Sequence, residues 1–150
     1  MRVGLIGHNS VEYVNMLFEI WNSGDSAILI DYDTPPSVVK QILEECEAGC
    51  CFAEESLCFL FENPPPFAIK TYSIKNKMPC ILPKTIRDIY KPHYDESEAV
   101  VMNSSGTTGR CKGISLSHRA ISNNADSVID YMNPTSVKSV YSSGDMISEK

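Results

Sequence analysis

The side chains best suited to chemistry lie together in one segment, from Ser104 to Gly113. Its sequence, SSGTTGRCKG, combines three glycines, four hydroxyl groups and two cations. Glycines let backbone N–H groups converge on an anion, and hydroxyl groups add donors that rotate to meet it. Lys112 and Arg110 bring positive charge, and no Asp or Glu occurs from Ala99 to Ala125. The segment is therefore suited to binding a polyphosphate, whose charge must be met as it moves.

Two familiar phosphate-binding motifs do not describe this segment. The Walker A motif needs a Gly-Lys pair followed by Ser or Thr at the start of a helix. Here the order is Lys112-Gly113, and residues 114–116 alternate in the way that predicts a strand. Gly4 and Gly7 near the N-terminus lack the later glycines of a dinucleotide fingerprint. The alternative to a phosphate site is a glycine-rich turn that links two strands.

Strands and helices alternate from the N-terminus to the third strand. Short apolar runs predict buried strands at Val3–Ile6, Ala27–Ile30, Cys50–Ala53 and, later, Ala99–Met102. A first helix begins at the N-cap Asn9, with Glu12 as its capping-box partner, and ends at Gly24. A second helix begins at Pro35-Pro36 and ends at Gly49. This rhythm predicts an α/β fold with a mainly parallel sheet layered with helices.

Helical periodicity also predicts which helix faces are buried. The second helix has an apolar stripe of Val38, Val39, Ile42, Leu43 and Cys46. A third helix is capped by Ser117, and its predicted inner face consists of Ala120, Ile121, Ala125, Val128, Ile129 and Met132. Weaker patterns predict a short helix at Ser56–Phe61 and strands at Phe67–Ile74 and Ile81–Leu82. They also predict a helical turn at Thr85–Ile89 and a loop at Lys91–Glu98.

The size and charge of the chain narrow its class. The 150 residues are enough for one domain, and no apolar run approaches the roughly 20 residues of a membrane-spanning helix. The net charge is −6, and no basic face of the kind that binds nucleic acid is evident. The N-terminus lacks the regions of a signal peptide, so we expect a cytoplasmic protein. From the charge and the lack of a long apolar run, we expect neither nucleic-acid nor membrane partners.

The six cysteines are expected to be free thiols, because no secretion signal is evident. Cys46 falls on the inner stripe of the second helix, while Cys50 and Cys51 open a predicted strand. Their spacing lacks CxxC pairs and nearby histidines, so no metal ligand is assigned. Burial in the core is the expected role of these three side chains.

The other polar and aromatic candidates also have structural explanations. Glu54-Glu55 and the acidic stretch Asp95–Glu98 are expected to be solvated. Trp21 and Phe18 are expected to belong to the core. His118 stands at the predicted start of the third helix as a polar residue, and no catalytic role is assigned to it.

The segment from Val101 to Lys112 closely resembles the signature phosphate loop of the adenylate-forming superfamily. That superfamily includes acyl-CoA synthetases, firefly-luciferase-like enzymes and the adenylation domains of nonribosomal peptide synthetases. A proline usually precedes the lysine, whereas this chain has Cys111. The resemblance covers most of residues 3–132 and is weak between residues 55 and 95. It includes the segments Val3–Ser10, Glu12-Tyr13, Trp21–Gly24, Ala27–Asp31, Pro35–Glu45 and Ser117–Ala120.

The resemblance implies a two-step ligase that uses ATP and Mg²⁺. A carboxylic or amino acid attacks the α-phosphate of ATP to give an acyl-adenylate and pyrophosphate, and a thiol then usually takes the acyl group. The residues that would cradle the β- and γ-phosphates are Ser104, Ser105, Gly106, Thr107, Thr108, Gly109 and Lys112.

The length of the chain limits what the resemblance implies. Members of the superfamily are several times longer, and their later nucleotide, hinge and catalytic-lysine motifs have no counterpart here. Residues 1–150 are therefore interpreted as a partial N-terminal adenylation domain with its phosphate loop at 104–113, and no catalytic residue is assigned. The chain alone is expected to be inactive and to self-associate through uncovered sheet edges. The alternative is an inactive remnant or small binding module that retains the loop.

Overall fold

The computed structural model describes residues 1–61, 68–72, 94–105 and 111–132, which form a six-stranded sheet with helices on both faces. The strands are β1 (Arg2–Gly7), β2 (Ser26–Asp31), β3 (Ala48–Glu54), β4 (Ala68–Tyr72), β5 (Glu98–Ser105) and β6 (Cys111–Ser117). The helices are α1 (Val11–Asn22), α2 (Pro36–Glu45), α3 (His118–Met132) and a 3₁₀ helix (Glu55–Phe61).

The strand order across the sheet is β4-β3-β1-β2-β5-β6. Strands β1 to β5 pair in parallel, while β6 runs antiparallel to β5. Helix α1 connects the neighbouring strands β1 and β2, and α2 connects β2 to β3 on the opposite face. The predicted α/β fold with a mainly parallel sheet is confirmed.

The face of the sheet covered by α2 is tightly packed. Leu43 is fully buried, and Val39 and Ile42 are 1% and 4% exposed. These side chains form one apolar cluster with the inward side chains of β1 and β2. A Cβ atom on Gly4 would lie 2.4 Å from Cδ2 of Leu43, so α2 approaches β1 closely because this strand position lacks a side chain. The stripe predicted for α2 is confirmed.

The opposite face is covered by α1 and by the start of α3. Trp21 is buried there, and its indole nitrogen donates a hydrogen bond to the carbonyl oxygen of Ala99 at 2.8 Å. Phe18 packs at the edge of the same apolar cluster. The core role predicted for both aromatic residues is confirmed, and the indole hydrogen bond connects α1 to β5.

The N-cap of α1 is Ser10, so the prediction of Asn9 was wrong. Ser10 has the extended backbone of an N-cap, and its hydroxyl oxygen accepts a hydrogen bond from the backbone nitrogen of Tyr13 at 3.0 Å. Because the cap lies one residue later, Tyr13 rather than Glu12 occupies the third helical position, where the partner residue of a capping box belongs. Gly24, with φ of 76°, follows the helix end as predicted.

Helix α2 ends before Gly49, contrary to the prediction. The last helical residue is Glu45, and Glu47 takes the left-handed conformation with φ of 55°. Gly49 already belongs to β3, where a Cβ atom would lie 2.3 Å from the sulfur of Met1. This glycine therefore makes room for the N-terminal residue. Pro36 begins α2 as predicted.

Helix α3 is capped by Ser117 as predicted, but most of its predicted inner face is exposed. The hydroxyl oxygen of Ser117 accepts a hydrogen bond from the backbone nitrogen of Ala120 at 3.2 Å. His118 and Ser122 are buried, and Ile121 is half-buried. The exposed members of the predicted face are Ala120, Ala125, Val128 and Ile129. The helix contacts β5 and β6 at one end of the sheet, and its side chains from residue 123 to residue 131 are exposed.

The middle of the chain is described only in part. The predicted short helix is the 3₁₀ helix, and the predicted strand at Phe67–Ile74 is present as the shorter β4. The features predicted at Ile81–Leu82 and Thr85–Ile89 lie outside the described residues. Glu98, predicted to end a loop, is the first residue of β5. Among the helices that the structure describes, none has the length and apolarity needed to cross a membrane.

Candidate phosphate-binding site

The β5–β6 hairpin positions the two ends of the candidate phosphate loop. The register pairs Ser104 with Lys112 and Ser105 with Cys111. Directly opposed residues of an antiparallel pair have Cα atoms roughly 4.5–5.5 Å apart. The hairpin therefore brings together three of the predicted phosphate-binding residues: Ser104, Ser105 and Lys112. The other four, Gly106, Thr107, Thr108 and Gly109, lie outside the described residues.

The candidate loop begins at the edge of the sheet where the parallel strands end. Strand β5 runs parallel to β2, which runs parallel to β1, so the chain beyond Ser105 starts at their carboxyl edge. Open α/β sheets bind ligands outside this edge. The described ends of the segment, at Ser105 and Cys111, therefore lie at this edge of the sheet.

Four residues at the opposite end of the sheet form what we call the Arg2–Glu98 cluster: Arg2, Ser26, Glu98 and Ser115. Nε and Nη2 of Arg2 each lie 2.8 Å from an oxygen of Glu98. The hydroxyl groups of Ser26 and Ser115 also donate to this carboxylate. The hydrogen bonds from Arg2 act most strongly, with help from both serines, and lower the pKa of Glu98 to about 2 despite its partial burial.

The environment of Glu98 corrects the expectation that this acidic residue is solvated. Its partners Arg2 and Ser26 lie 96 and 72 residues away in the sequence, so no local pattern reveals them. One signal was available. Arg2 and Glu98 each directly precede an apolar strand, and opposite charges at the amino ends of parallel strands are candidates for pairing. Of the other acidic residues in this stretch, Glu96 pairs with Arg119 at 2.8 Å.

A second set of contacts connects α2 to the base of the hairpin. The thiol of Cys46 donates a hydrogen bond to Oδ1 of Asn103 at 3.6 Å. Asn103 is paired with Gly113 across the hairpin. A Cβ atom on Gly113 would lie 2.8 Å from Val101 and 3.4 Å from the sulfur of Cys46. The absence of a side chain at Gly113 thus lets β6 lie close to the end of α2.

The burial predicted for Cys46, Cys50 and Cys51 is confirmed, and none of the three forms a disulfide. Cys58, for which no burial was predicted, is exposed. Burial, with the neighbouring Cys50, raises the pKa of Cys51 to about 12, so this thiol stays protonated and unreactive. Cys46, Cys50 and Cys51 belong to the core.

Glu54 is buried, so the expectation that it is solvated was wrong. Its carboxylate accepts hydrogen bonds from the backbone nitrogen and Nδ1 of His8 at 2.9 and 2.8 Å, and from the hydroxyl of Ser56. Burial alone would raise the pKa of Glu54, but these hydrogen bonds and the histidine lower it overall. The ring of His8 stacks on Tyr32 with centroids 4.1 Å apart. The contacts join the ends of β1, β2 and β3.

His118 begins α3 as predicted, and it is buried. Its ring meets that of Trp21 edge-on with centroids 5.2 Å apart. Only 7% of His118 is exposed, so this residue belongs to the packed face beneath α3.

The chain matches the sequence model of the AMP-binding enzyme family over residues 1–146, and it belongs to that family. The family model and the fold together confirm the expected resemblance to adenylate-forming enzymes, whose N-terminal domain shares this sheet. These matches do not favour the alternative of an inactive remnant or small binding module that retains the loop.

Among similar proteins, the mitochondrial malonate–CoA ligase of Xenopus laevis is 29% identical over 122 residues, which are 78% of this chain and 21% of the ligase. A long-chain fatty-acid–CoA ligase from Archaeoglobus fulgidus matches with a TM-score of 0.65 and 19% identity, over 88% of this chain and 28% of that one. The AMPPNP-bound nonribosomal peptide synthetase FmoA3 matches with a TM-score of 0.64 and 18% identity, over 88% of this chain and 13% of that one. The chain thus spans less than a third of each of these relatives.

Proposed function

We propose that this chain supplies the phosphate-binding part of a ligase that activates carboxylic or amino acids with ATP. The observation that supports this proposal best is the hairpin register, which places Lys112 opposite Ser104 at the carboxyl edge of the sheet. Membership of the AMP-binding enzyme family supports the choice of ATP over other polyphosphates.

In the proposed reaction, a carboxylate oxygen attacks the α-phosphorus of ATP. The bond to the bridging oxygen breaks, and pyrophosphate leaves with its negative charge. The proposed role of Lys112 and of the loop N–H and hydroxyl groups, from Ser104 to Gly109, is to hold the β- and γ-phosphates and stabilise this charge. Similar structures include a complex with AMP and glycine and another with L-aspartate, which supports an acid of this kind as the co-substrate. The acyl-adenylate then transfers its acyl group, usually to a thiol.

Mg²⁺ is proposed to enter with the nucleotide. No group of three or more His, Cys, Asp or Glu side chains that could hold a metal occurs in the described parts of the chain. From Ala99 to Ala125, the chain offers hydroxyl oxygens but no carboxylates. The donor set therefore fits an ion held mainly by phosphate oxygens, which is how Mg²⁺ is commonly bound.

Charge and thiol content support the partners and the location that we propose. A net charge of −6 supports small-molecule substrates rather than nucleic acid as partners. The buried free thiols support a reducing compartment such as the cytosol. Because the loop holds only part of a nucleotide, weak binding without turnover is proposed for the chain alone, together with self-association through its sheet edges.

Titration of ¹⁵N-labelled protein with inorganic pyrophosphate tests the proposal. We expect the amide resonances of residues 104–112 to shift with a Kd of about 1 mM, equivalent to roughly 4 kcal/mol. Lys112→Ala removes the lysine charge and is expected to weaken binding by about fivefold or more. Lys40→Ala is the matched control, because Lys40 is an exposed lysine on α2 whose ion-pair partner is Glu44. Resonances that stay unmoved at ten times this concentration, or equal losses in both variants, would contradict the proposal.

A further inference from the structure

We propose that the Arg2–Glu98 cluster is a positioning device for the phosphate loop, with the hydrogen bond from Ser115 to Glu98 setting the register of β6. The inference rests on the proposed function, because it concerns how the same loop is held. In it, Glu98 and Ser115 are positioning residues that act through the backbone of the hairpin and do not touch the phosphates.

The carboxylate of Glu98 is held by donors from three neighbouring strands. Its Oε1 accepts from Nε of Arg2 on β1 and from the hydroxyl of Ser26 on β2, both at 2.8 Å. Its Oε2 accepts from Nη2 of Arg2 at 2.8 Å and from the hydroxyl of Ser115 on β6. Each oxygen therefore has one guanidinium donor and one hydroxyl donor. A carboxylate group in which each oxygen accepts two hydrogen bonds has a fixed position and orientation.

The bond from Ser115 crosses the hairpin at the point where its register changes. Glu98 is paired with Ser117, but Val100 is paired with Leu116, so the ladder shifts between these two pairs. Ser115 itself lies opposite Val101. A hydrogen bond from Ser115 to Glu98 therefore spans the irregularity diagonally and fixes which residues oppose one another beyond it.

Register at this point determines where Lys112 lies. Lys112 is three residues before Ser115 on the same strand and opposite Ser104. Because side chains alternate between sheet faces, a slip of one residue would move Lys112 to the other face. In the described part of the sheet, β6 is the outermost strand and pairs only with β5. Backbone hydrogen bonds from His118 and Arg119 to Ser97 and Asp95 hold the far end of β6, and the bond from Ser115 to Glu98 adds a side-chain contact nearer to Lys112.

Arg2 extends the same support toward the base of the loop. Its Nη1 donates to the carbonyl oxygen of Cys46 at 3.3 Å. The thiol of Cys46 in turn contacts Asn103, the residue directly before the loop segment. The cluster is thus connected to the hairpin on both strands, through Ser115 on β6 and through Cys46 to Asn103 on β5.

A comparison of Ser115→Ala with Ser26→Ala tests the inference, because each variant removes one hydroxyl donor from the same carboxylate. Ser26 is buried, whereas Ser115 is exposed. A purely structural role therefore predicts that Ser26→Ala has the larger effect on both melting temperature and affinity. The positioning role predicts opposite rankings, with Ser26→Ala losing more thermal stability and Ser115→Ala losing more affinity.

The probe is inorganic tripolyphosphate without Mg²⁺, titrated into each full-length variant well below its melting temperature. We expect Ser115→Ala to raise Kd about fivefold and Ser26→Ala to raise it less than about twofold. Ser115→Thr keeps the hydroxyl and is expected to restore the wild-type Kd. Ser127→Ala, which removes an exposed hydroxyl from α3, is expected to leave Kd unchanged.

The possible results separate this inference from the proposed function. If the wild-type protein binds tripolyphosphate and the two variants rank alike in stability and affinity, the positioning role is overturned while the proposed function stands. The same conclusion follows if Ser115→Thr fails to restore affinity. If the wild-type protein does not bind tripolyphosphate, the proposed function fails, and this inference fails with it.

Discussion

Helices α2 and α3 have the same kind of apolar periodicity but opposite degrees of burial. On α2, Leu43 is fully buried and Ile42 is 4% exposed. On α3, Val128 and Ile129 are 38% and 51% exposed. The pattern therefore identifies the apolar face of a helix correctly in both cases. Whether that face is buried depends on which element lies opposite it.

The position of each helix in the sheet explains the difference. Helix α2 connects β2 to β3, so it must pass across β1, which lies between them. Helix α3 follows β6, the outermost of the described strands, and its side chains from residue 123 to residue 131 are exposed. A connection that crosses the middle of a sheet buries its whole stripe, whereas one that leaves from an edge does not.

Leu43→Ala is expected to give the largest loss of stability. The side chain is fully buried and lies against the space left by Gly4. Truncation removes apolar burial and leaves a cavity, so the free energy of unfolding should fall by about 3–4 kcal/mol. Urea unfolding followed by circular dichroism measures this change. Lys40→Ala on the exposed side of α2 is the control. If Leu43→Ala lowers the free energy of unfolding by less than about 1 kcal/mol, α2 is not packed more tightly than α3.

The β5–β6 hairpin leads into α3, and its connection to the rest of the sheet depends on charge as well as apolar contact. Glu98 has a pKa of about 2 in the folded protein, against an ordinary value of 4.5. A carboxyl group with a lowered folded pKa stabilises the fold above its unfolded pKa and loses this effect as pH falls through the folded value. The contribution of Glu98 should therefore be full above about pH 5 and decline toward pH 2.

Glu98→Gln makes this contribution measurable. Because a quarter of the Glu98 side chain is exposed, solvent screening reduces the effect to about 1–2 kcal/mol at pH 7. The difference in unfolding free energy between Glu98→Gln and the wild type is expected to shrink as pH falls from 4.5 to 2. Urea unfolding at a series of pH values measures this difference. A difference that stays constant with pH would mean that the carboxylate charge does not hold the hairpin in place.

Local sequence patterns predicted the parts of the fold that depend on local chemistry. The apolar run Val3–Ile6 and the stripe containing Leu43 needed only periodicity, and the phosphate segment needed only a distinctive order of glycine, hydroxyl and lysine. At the start of α1, Asn9 and Ser10 are both good N-caps, so the sequence could not choose between them. The partners of Glu98 are set by strand order across the sheet. No local pattern contains that order, and for the same reason the exposure of Ile129 was not foreseen.

The smallest effect is expected on the exposed apolar face of α3. Ile129→Ser on α3 and Ile42→Ser on α2 make the same chemical change on the two helices. Serine and isoleucine have similar helix propensities, so burial determines the outcome. Ile42→Ser should lower the free energy of unfolding by about 3 kcal/mol, while Ile129→Ser should change it by less than about 0.5 kcal/mol. Urea unfolding at several protein concentrations, with light scattering on the same samples, measures both. A loss at Ile129 that grows with concentration would show that a second copy covers this face, and equal losses in dilute protein would remove the contrast between the two helices.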